Sequence, residues 1–151
     1  MILGAGFGTR LKPLSEYLAK PLWPLGRMTI IEHSLNWLQT EGFERVVVNL
    51  HHLPEQVEGF VREIVPEGME LLFSREEEIL GSGGGIGRAA KKYFSDEPVL
   101  IINGDLYFEL SLQKLWHVHS GNNCDVTCLV IPADRDPALA TVSLDSKGRI
   151  V

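Results

Sequence analysis

Apolar positions along this chain alternate between two periods. "MIL" at the start is a short run that reads as a strand fragment. In "TIIEHSLNWLQTEG", Ile31, Leu35 and Leu38 fall on one helical face; Thr29 stands where an N-cap belongs, and Gly42 ends the segment. "RVVVNL" is β-branched and almost continuously apolar, as a strand covered on both faces should be. "PEQVEGFVREIV" then places Val57, Phe60, Val61 and Ile64 at helical spacing behind Pro54, a residue suited to a first helical turn. The same reading makes "MELLFS" a strand, "GIGRAAKKYF" a helix and "PVLIING" a strand. "LSLQKLWHVHS" follows as a helix with Leu112, Leu115 and His119 on one stripe, and "DVTCLVI" as a strand. The last stretch, "TVSLDSKGRIV", reads as a strand at 141–144, a turn through Asp145-Ser146-Lys147-Gly148, and a second strand starting at Arg149.

Strand and helix alternating in this way predict βαβ units: an α/β fold, a Rossmann-like three-layer αβα sandwich around a mostly parallel sheet. Ligands of such sheets sit beyond the carboxyl ends of the strands. Three loops at those ends are unusual: "GAGFGTR", "SREEEILGSGGG" and "NGDLYF". No repeat, low-complexity tract or linker marks a second domain, so 1–151 reads as a single one.

Composition adds exclusions. The chain has 151 residues, 44% of them hydrophobic and 23% charged, and a net charge of -6. That balance suits one globular domain and argues against a nucleic-acid partner, which calls for a basic face. No apolar run approaches the roughly 18 residues that cross a bilayer, so no membrane partner is expected and a cytoplasmic location is the default. Cys124 and Cys128, four apart in a strand reading, would lie roughly 13 Å from each other. They are expected as free, packed thiols. His51, His52, His117 and His119 lack the spacing of a zinc helix and are expected in solvated or capping roles.

The opening loop carries the chemistry. Gly4, Gly6 and Gly8 do not match the dinucleotide fingerprint G-x-G-x-x-G, because Thr9 stands where its third glycine belongs; the lysine of a Walker loop is also missing. Closely spaced glycines still let backbone N–H groups approach an anion, and Arg10 can grip two phosphate oxygens at once. Lys12 and Lys20 add positive charge nearby. The loop is shaped for a nucleoside triphosphate.

The stretch "GAGFGTRLKPLS…AKPLWPL" closely resembles the signature G-x-G-T-R-L-x-P-L-T…x-K-P-L-x-P of the sugar-phosphate nucleotidyltransferases. "EEEILGSGGGIGRA" and "INGD" match that family's second and third motifs in order, and the likeness runs the length of the chain. It is closest to uridylyl- and guanylyltransferases acting on mannose 1-phosphate, N-acetylmuramate 1-phosphate and similar substrates. Gly4 in place of alanine and Ser15 in place of threonine are small departures.

The resemblance implies joining of a sugar 1-phosphate to an NTP, giving an NDP-sugar and pyrophosphate, with Mg2+ as cofactor. Arg10, Lys20 and Asp105 match its catalytic positions, Asp105 also being the metal-binding aspartate. Ala5 and Gly6 match residues lining base and ribose, Gly8 and Thr9 phosphate donors, and Gly81 a glycine whose backbone meets the base. Glu76 matches the residue reading the base edge, although Glu77 or Glu78 can slip into that role. A carboxylate only accepts hydrogen bonds, which favours GTP or UTP. Family members continue beyond the position of Val151 with sugar-contacting strands and a second metal-binding aspartate, so the domain is expected to be incomplete at its C-terminus. NTP binding with little or no turnover is then expected of this chain alone. The alternative is a non-catalytic nucleotide-binding or regulatory module of the same fold. A homo-oligomer stays open, although no leftover apolar stripe marks a subunit interface.

Overall fold

The computed structural model describes residues 1–122, 124–132 and 141–150. They fall into two compact units, residues 1–109 and 110–151. The first unit holds a four-stranded sheet made of β1 (Ile2–Leu3), β4 (Arg45–Leu50), β5 (Glu70–Arg75) and β6 (Ile102–Asn103). Their spatial order is β5-β4-β1-β6, and every neighbouring pair is parallel. A small antiparallel pair, β2 (Pro24–Leu25) and β3 (Met28–Thr29), precedes α1 (Ile30–Thr40). Helix α2 (Pro54–Ile64) joins β4 to β5, and α3 (Gly81–Tyr93) joins β5 to β6.

Side-chain alternation along β4 explains the layering. Val46, Val48 and Leu50 pack with Ile31, Leu35 and Leu38 of α1 and with Val57 and Val61 of α2. Val47 points the other way and packs with Met1 and with Ala89 of α3. Helices therefore cover both faces, which is the three-layer α/β arrangement the sequence predicts. Thr29 caps α1 as expected: its Oγ accepts from Glu32 N at 3.2 Å, while the Glu32 carboxylate accepts from Thr29 N at 3.2 Å. Pro54 opens α2, entered through Leu53 at a φ of 47°.

The chain leaves β1 toward β4 and β5, then returns to place β6 on the other side of β1. The loops after β1 and β6 diverge at that reversal, where open parallel sheets leave a crevice for ligands.

Some elements differ from expectation. β6 is restricted to Ile102–Asn103 within "PVLIING", because its partner β1 offers only Ile2 and Leu3 for pairing. Helix α3 starts at Gly81, so the glycine run "GSGGG" lies inside it rather than before it. In the second unit, α4 (Leu112–Gly121) forms, with Ser111 Oγ accepting from Lys114 N at 3.4 Å. "DVTCLVI" forms no strand: Leu129, Val130 and Ile131 are exposed, and β-propensity without a neighbouring strand does not build a ladder. Cys124 and Cys128 are free, as expected, but exposed rather than packed. The final turn forms as read, but the strands expected at 141–144 and from Arg149 are reduced to one isolated bridge among the described residues. Asp145 Oδ1 accepts from Lys147 N at 2.8 Å and Arg149 N at 2.9 Å, and an antiparallel bridge joins Leu144 to Ile150. Val151 lies outside the described residues.

Candidate functional site

A cavity of about 330 Å³ opens at the carboxyl ends of β1, β4 and β6. Ala5, Gly6, Lys20, Glu76, Gly81 and Asp105 all line it, so six of the residues singled out from sequence meet in one place. A second depression of about 350 Å³ is lined by Gly8, Thr9, Arg10 and Leu11 and shares Lys20 with the first. Lys20 is thus the common wall of both.

Local structure fixes these positions. The first loop leaves β1 through Gly8 at a φ of 62°, a left-handed conformation that glycine adopts freely. It then enters a single 3-10 turn at Thr9–Leu11, with Arg10 exposed. A further 3-10 turn, Lys20–Leu22, is held by burial of Pro21 and Leu22. Gln56 of α2 pins the chain just ahead of it, accepting from Ala19 N at 3.3 Å and donating to Tyr17 O at 3.0 Å. Lys12 is turned to Glu16, with 3.0 Å between their charged atoms, and lines neither depression. Phe7 sits edge-on to His51, with ring centres 5.1 Å apart. The His51 and His52 rings donate to the backbone carbonyls of Glu76 and Ser15, so they tie loops together where solvated or capping roles were expected.

The Lys20 ammonium forms an ion pair with Asp105, across 85 positions of sequence. Both side chains stay partly exposed, at 25% and 35%, so the pair faces the cavity instead of closing over it. His33 of α1 anchors the Asp105 loop by donating to Phe108 O at 2.9 Å. Tyr107 on that loop donates to the Glu109 carboxylate at 2.6 Å, which holds its phenol above the usual tyrosine range.

On the base side, the three glutamates separate clearly. Glu77 and Glu78 are exposed, whereas Glu76 is only 5% exposed and reaches the cavity wall. Its Oε2 accepts from Leu80 N at 2.9 Å and its Oε1 from Asn49 Nδ2 at 2.7 Å. Two of its lone-pair directions are thereby used, of about four that a carboxylate has. Asn49 was missed in reading the sequence. The available signal was one amide inside the otherwise apolar run "RVVVNL".

Among the described residues no group of three or more His, Cys, Asp or Glu side chains could cage a metal. Asp105 alone still suits Mg2+, which commonly takes one or two carboxylates and completes its shell with phosphate oxygens and water.

The Nucleotidyl transferase family profile matches residues 1–151. The chain belongs to that family. It is 28% identical over its full length to a UTP--glucose-1-phosphate uridylyltransferase of Synechocystis sp.. It is 30% identical, also over its full length, to a mannose-1-phosphate guanylyltransferase of Mycobacterium tuberculosis. This nucleotidyl transferase chain spans 42% of the length of each of those relatives. Its fold matches a crystal structure of HddC from Yersinia pseudotuberculosis complexed with GMP-PN, with a TM-score of 0.81 and 27% identity. That match covers 99% of this chain and 65% of the other. No helix among the described residues is long and apolar enough to cross a membrane.

Proposed function

We propose that this chain carries the nucleotide-binding half of a sugar-1-phosphate nucleotidyltransferase. The observation that supports it best is the meeting of Lys20 and Asp105 beside the glycine loop, at the reversal of strand order. The triphosphate lies along the Gly8–Arg10 depression, its negative charge met by Arg10 and Lys20 and by backbone N–H groups. A phosphate oxygen of the sugar 1-phosphate attacks the α-phosphorus, the bond to the β-phosphate oxygen breaks, and pyrophosphate leaves. Lys20 steadies charge at the phosphorus under attack, and Arg10 steadies it on the departing pyrophosphate. Little covalent work falls to the protein, so the rate comes from positioning and charge neutralisation. Asp105 would hold Mg2+, which when bound would supply charge to neutralise the phosphates.

Glu76 accepts hydrogen bonds from the base edge. Guanine offers adjacent N1–H and N2–H donors and uracil one N3–H, so GTP or UTP fits, in a cytoplasmic setting where both are available. Guanylyl and uridylyl activities are both named among the relatives.

A thermal-shift panel with magnesium and each of GTP, UTP, dTTP, CTP and ATP tests the reading, repeated on Arg10→Ala. One nucleotide raising the melting temperature, with the rise lost in the variant, is expected. A cooperatively melting chain that responds to no nucleotide overturns the proposal. Pyrophosphate release with a sugar 1-phosphate, assayed on a chain extended to the full length of the relatives, then separates an enzyme from a module that only binds.

A further inference from the structure

Asn49 lies next to last in β4, at 3% exposure, in a strand whose other side chains past Arg45 are all apolar. A buried carboxamide there is unfavourable unless its groups are satisfied. Its oxygen accepts from Gly4 N at 2.8 Å, and its nitrogen donates to Glu76 Oε1 at 2.7 Å. These contacts fix the amide's orientation by chemistry. Turned over, it would set N–H against N–H and oxygen against a carboxylate. Gly4 begins the phosphate loop, and Glu76 continues through its Oε2 to Leu80 N, just ahead of Gly81. One amide therefore ties together two loops that both line the cavity.

We infer that Asn49 is a positioning residue for base selection: clamped between Gly4 N and Glu76 Oε1, its carboxamide sets where Glu76 presents its remaining lone pairs to the base. The inference rests on the proposed nucleotide site and deepens it. Asn49 acts through Gly4 and Glu76. Position 85 reports how tightly the clamp is packed. A Cβ there would come within 2.7 Å of Glu76 Oε1 and 2.8 Å of Asn49 Nδ2, so α3 approaches the pair so closely that only glycine fits at position 85 without displacing it. A structural amide would only need partners; this one spends both of its contacts on groups that define the cavity.

Two experiments on the 151-residue chain test this. In the first, titration calorimetry with GTP, UTP, CTP and ATP in magnesium compares the unaltered chain with Asn49→Ala. The ratio of affinities between the preferred and least preferred base should fall about tenfold, the size of one well-made hydrogen bond. A purely structural role would leave that ratio unmoved, so a folded variant with the same ratio overturns the inference. If the unaltered chain binds none of the four, the nucleotide site itself is refuted and this inference falls with it, a result distinguishable from a retained preference.

The second experiment needs no ligand and holds even where Asn49→Ala fails to fold. Asn49→Asp faces Glu76 with another carboxylate, and the double variant Asn49→Asp/Glu76→Gln exchanges donor and acceptor between the two positions. In the double variant the carboxylate at position 49 accepts both from Gly4 N and from the new amide at position 76, whose own oxygen still accepts from Leu80 N. The double variant should melt well above Asn49→Asp; a double variant no more stable than the single one refutes the clamp.

Discussion

Alanine at position 85 and alanine at position 87 should move stability in opposite directions, although both replace glycine within one helix. Gly87 lies inside α3 with nothing within 4 Å of where its Cβ would stand. Replacing a helical glycine by alanine in open space stabilises by roughly 0.5–1 kcal/mol. Gly85 carries the same helical advantage, but its Cβ would stand 2.7 Å from Glu76 Oε1 and 2.8 Å from Asn49 Nδ2. Ordinary contact begins near 3.4 Å, so both side-chain ends must move, and moving apart would cost the hydrogen bond between them. A hydrogen bond to a charged group contributes about 1.5–3 kcal/mol. After the helical gain is subtracted, Gly85→Ala should destabilise by about 1–2 kcal/mol.

The separation between the two variants is then about 2 kcal/mol, or roughly 4–8 °C in melting temperature for a chain of this size. Urea unfolding followed by tryptophan fluorescence suits the measurement, since Trp23 and Trp37 both lie in the unit that contains α3. Gly85→Ala should also weaken discrimination among nucleotide bases, because it displaces Glu76, while Gly87→Ala should not. Equal midpoints for the two variants would refute the reasoning, for they would mean that the Asn49–Glu76 pair yields freely.

Three further outcomes follow from the same structure. Asp105→Asn should abolish the magnesium dependence of nucleotide binding yet change stability by under about 1 kcal/mol, as a partly exposed ion pair contributes little; a large loss of stability in urea would contradict this. Thr29→Ala removes the capping oxygen of α1 and should destabilise by about 1 kcal/mol, read from the urea midpoint, and no change would mean that the cap is redundant. In the isolated 151-residue chain, burial pushes the Met1 amine from 8.0 down to about 6, and its nitrogen lies 2.6 Å from Leu100 O. The fold favours the neutral amine, so its penalty is absent above pH 8, grows as pH falls toward 6 and levels off below, reaching about 3 kcal/mol. Acetylating that amine should flatten the slope, and an unchanged slope would assign it elsewhere.

Much of the fold was legible because covered strands and amphipathic helices leave different periods in sequence. Val46, Val47 and Val48 announced a strand packed on both faces, and Ile31, Leu35 and Leu38 a helix lying against one of them. The extent of β6 was not legible, since ladder length depends on the partner strand and not on the apolar run that forms it. "DVTCLVI" failed for a related reason: its β-branched residues encode a preference, and a preference needs an edge to pair with. At the site, the family resemblance pointed to Lys20 and Asp105 separately, and only the fold brings them into contact. It likewise took burial to single out Glu76 from Glu77 and Glu78. Asn49 belongs to no motif and became visible only through its partners.

Strand order explains why the charged groups meet where they do. β1 lies between β4 and β6, so residues at the carboxyl ends of all three strands line the crevice that opens where the loops after β1 and β6 part. In a chain of net charge -6, a triphosphate is held only where local positive charge exceeds the background. Lys12 is engaged with Glu16 and Lys20 with Asp105, whereas Arg10 forms no salt bridge among the described residues and stands exposed at the rim. In the proposed function, phosphate would take the place of the carboxylate against the Lys20 ammonium, and a metal the place of the ammonium against the Asp105 carboxylate. The two side chains that neutralise each other across the cavity wall would then answer, by sign, to the two components of the proposed metal–nucleotide complex.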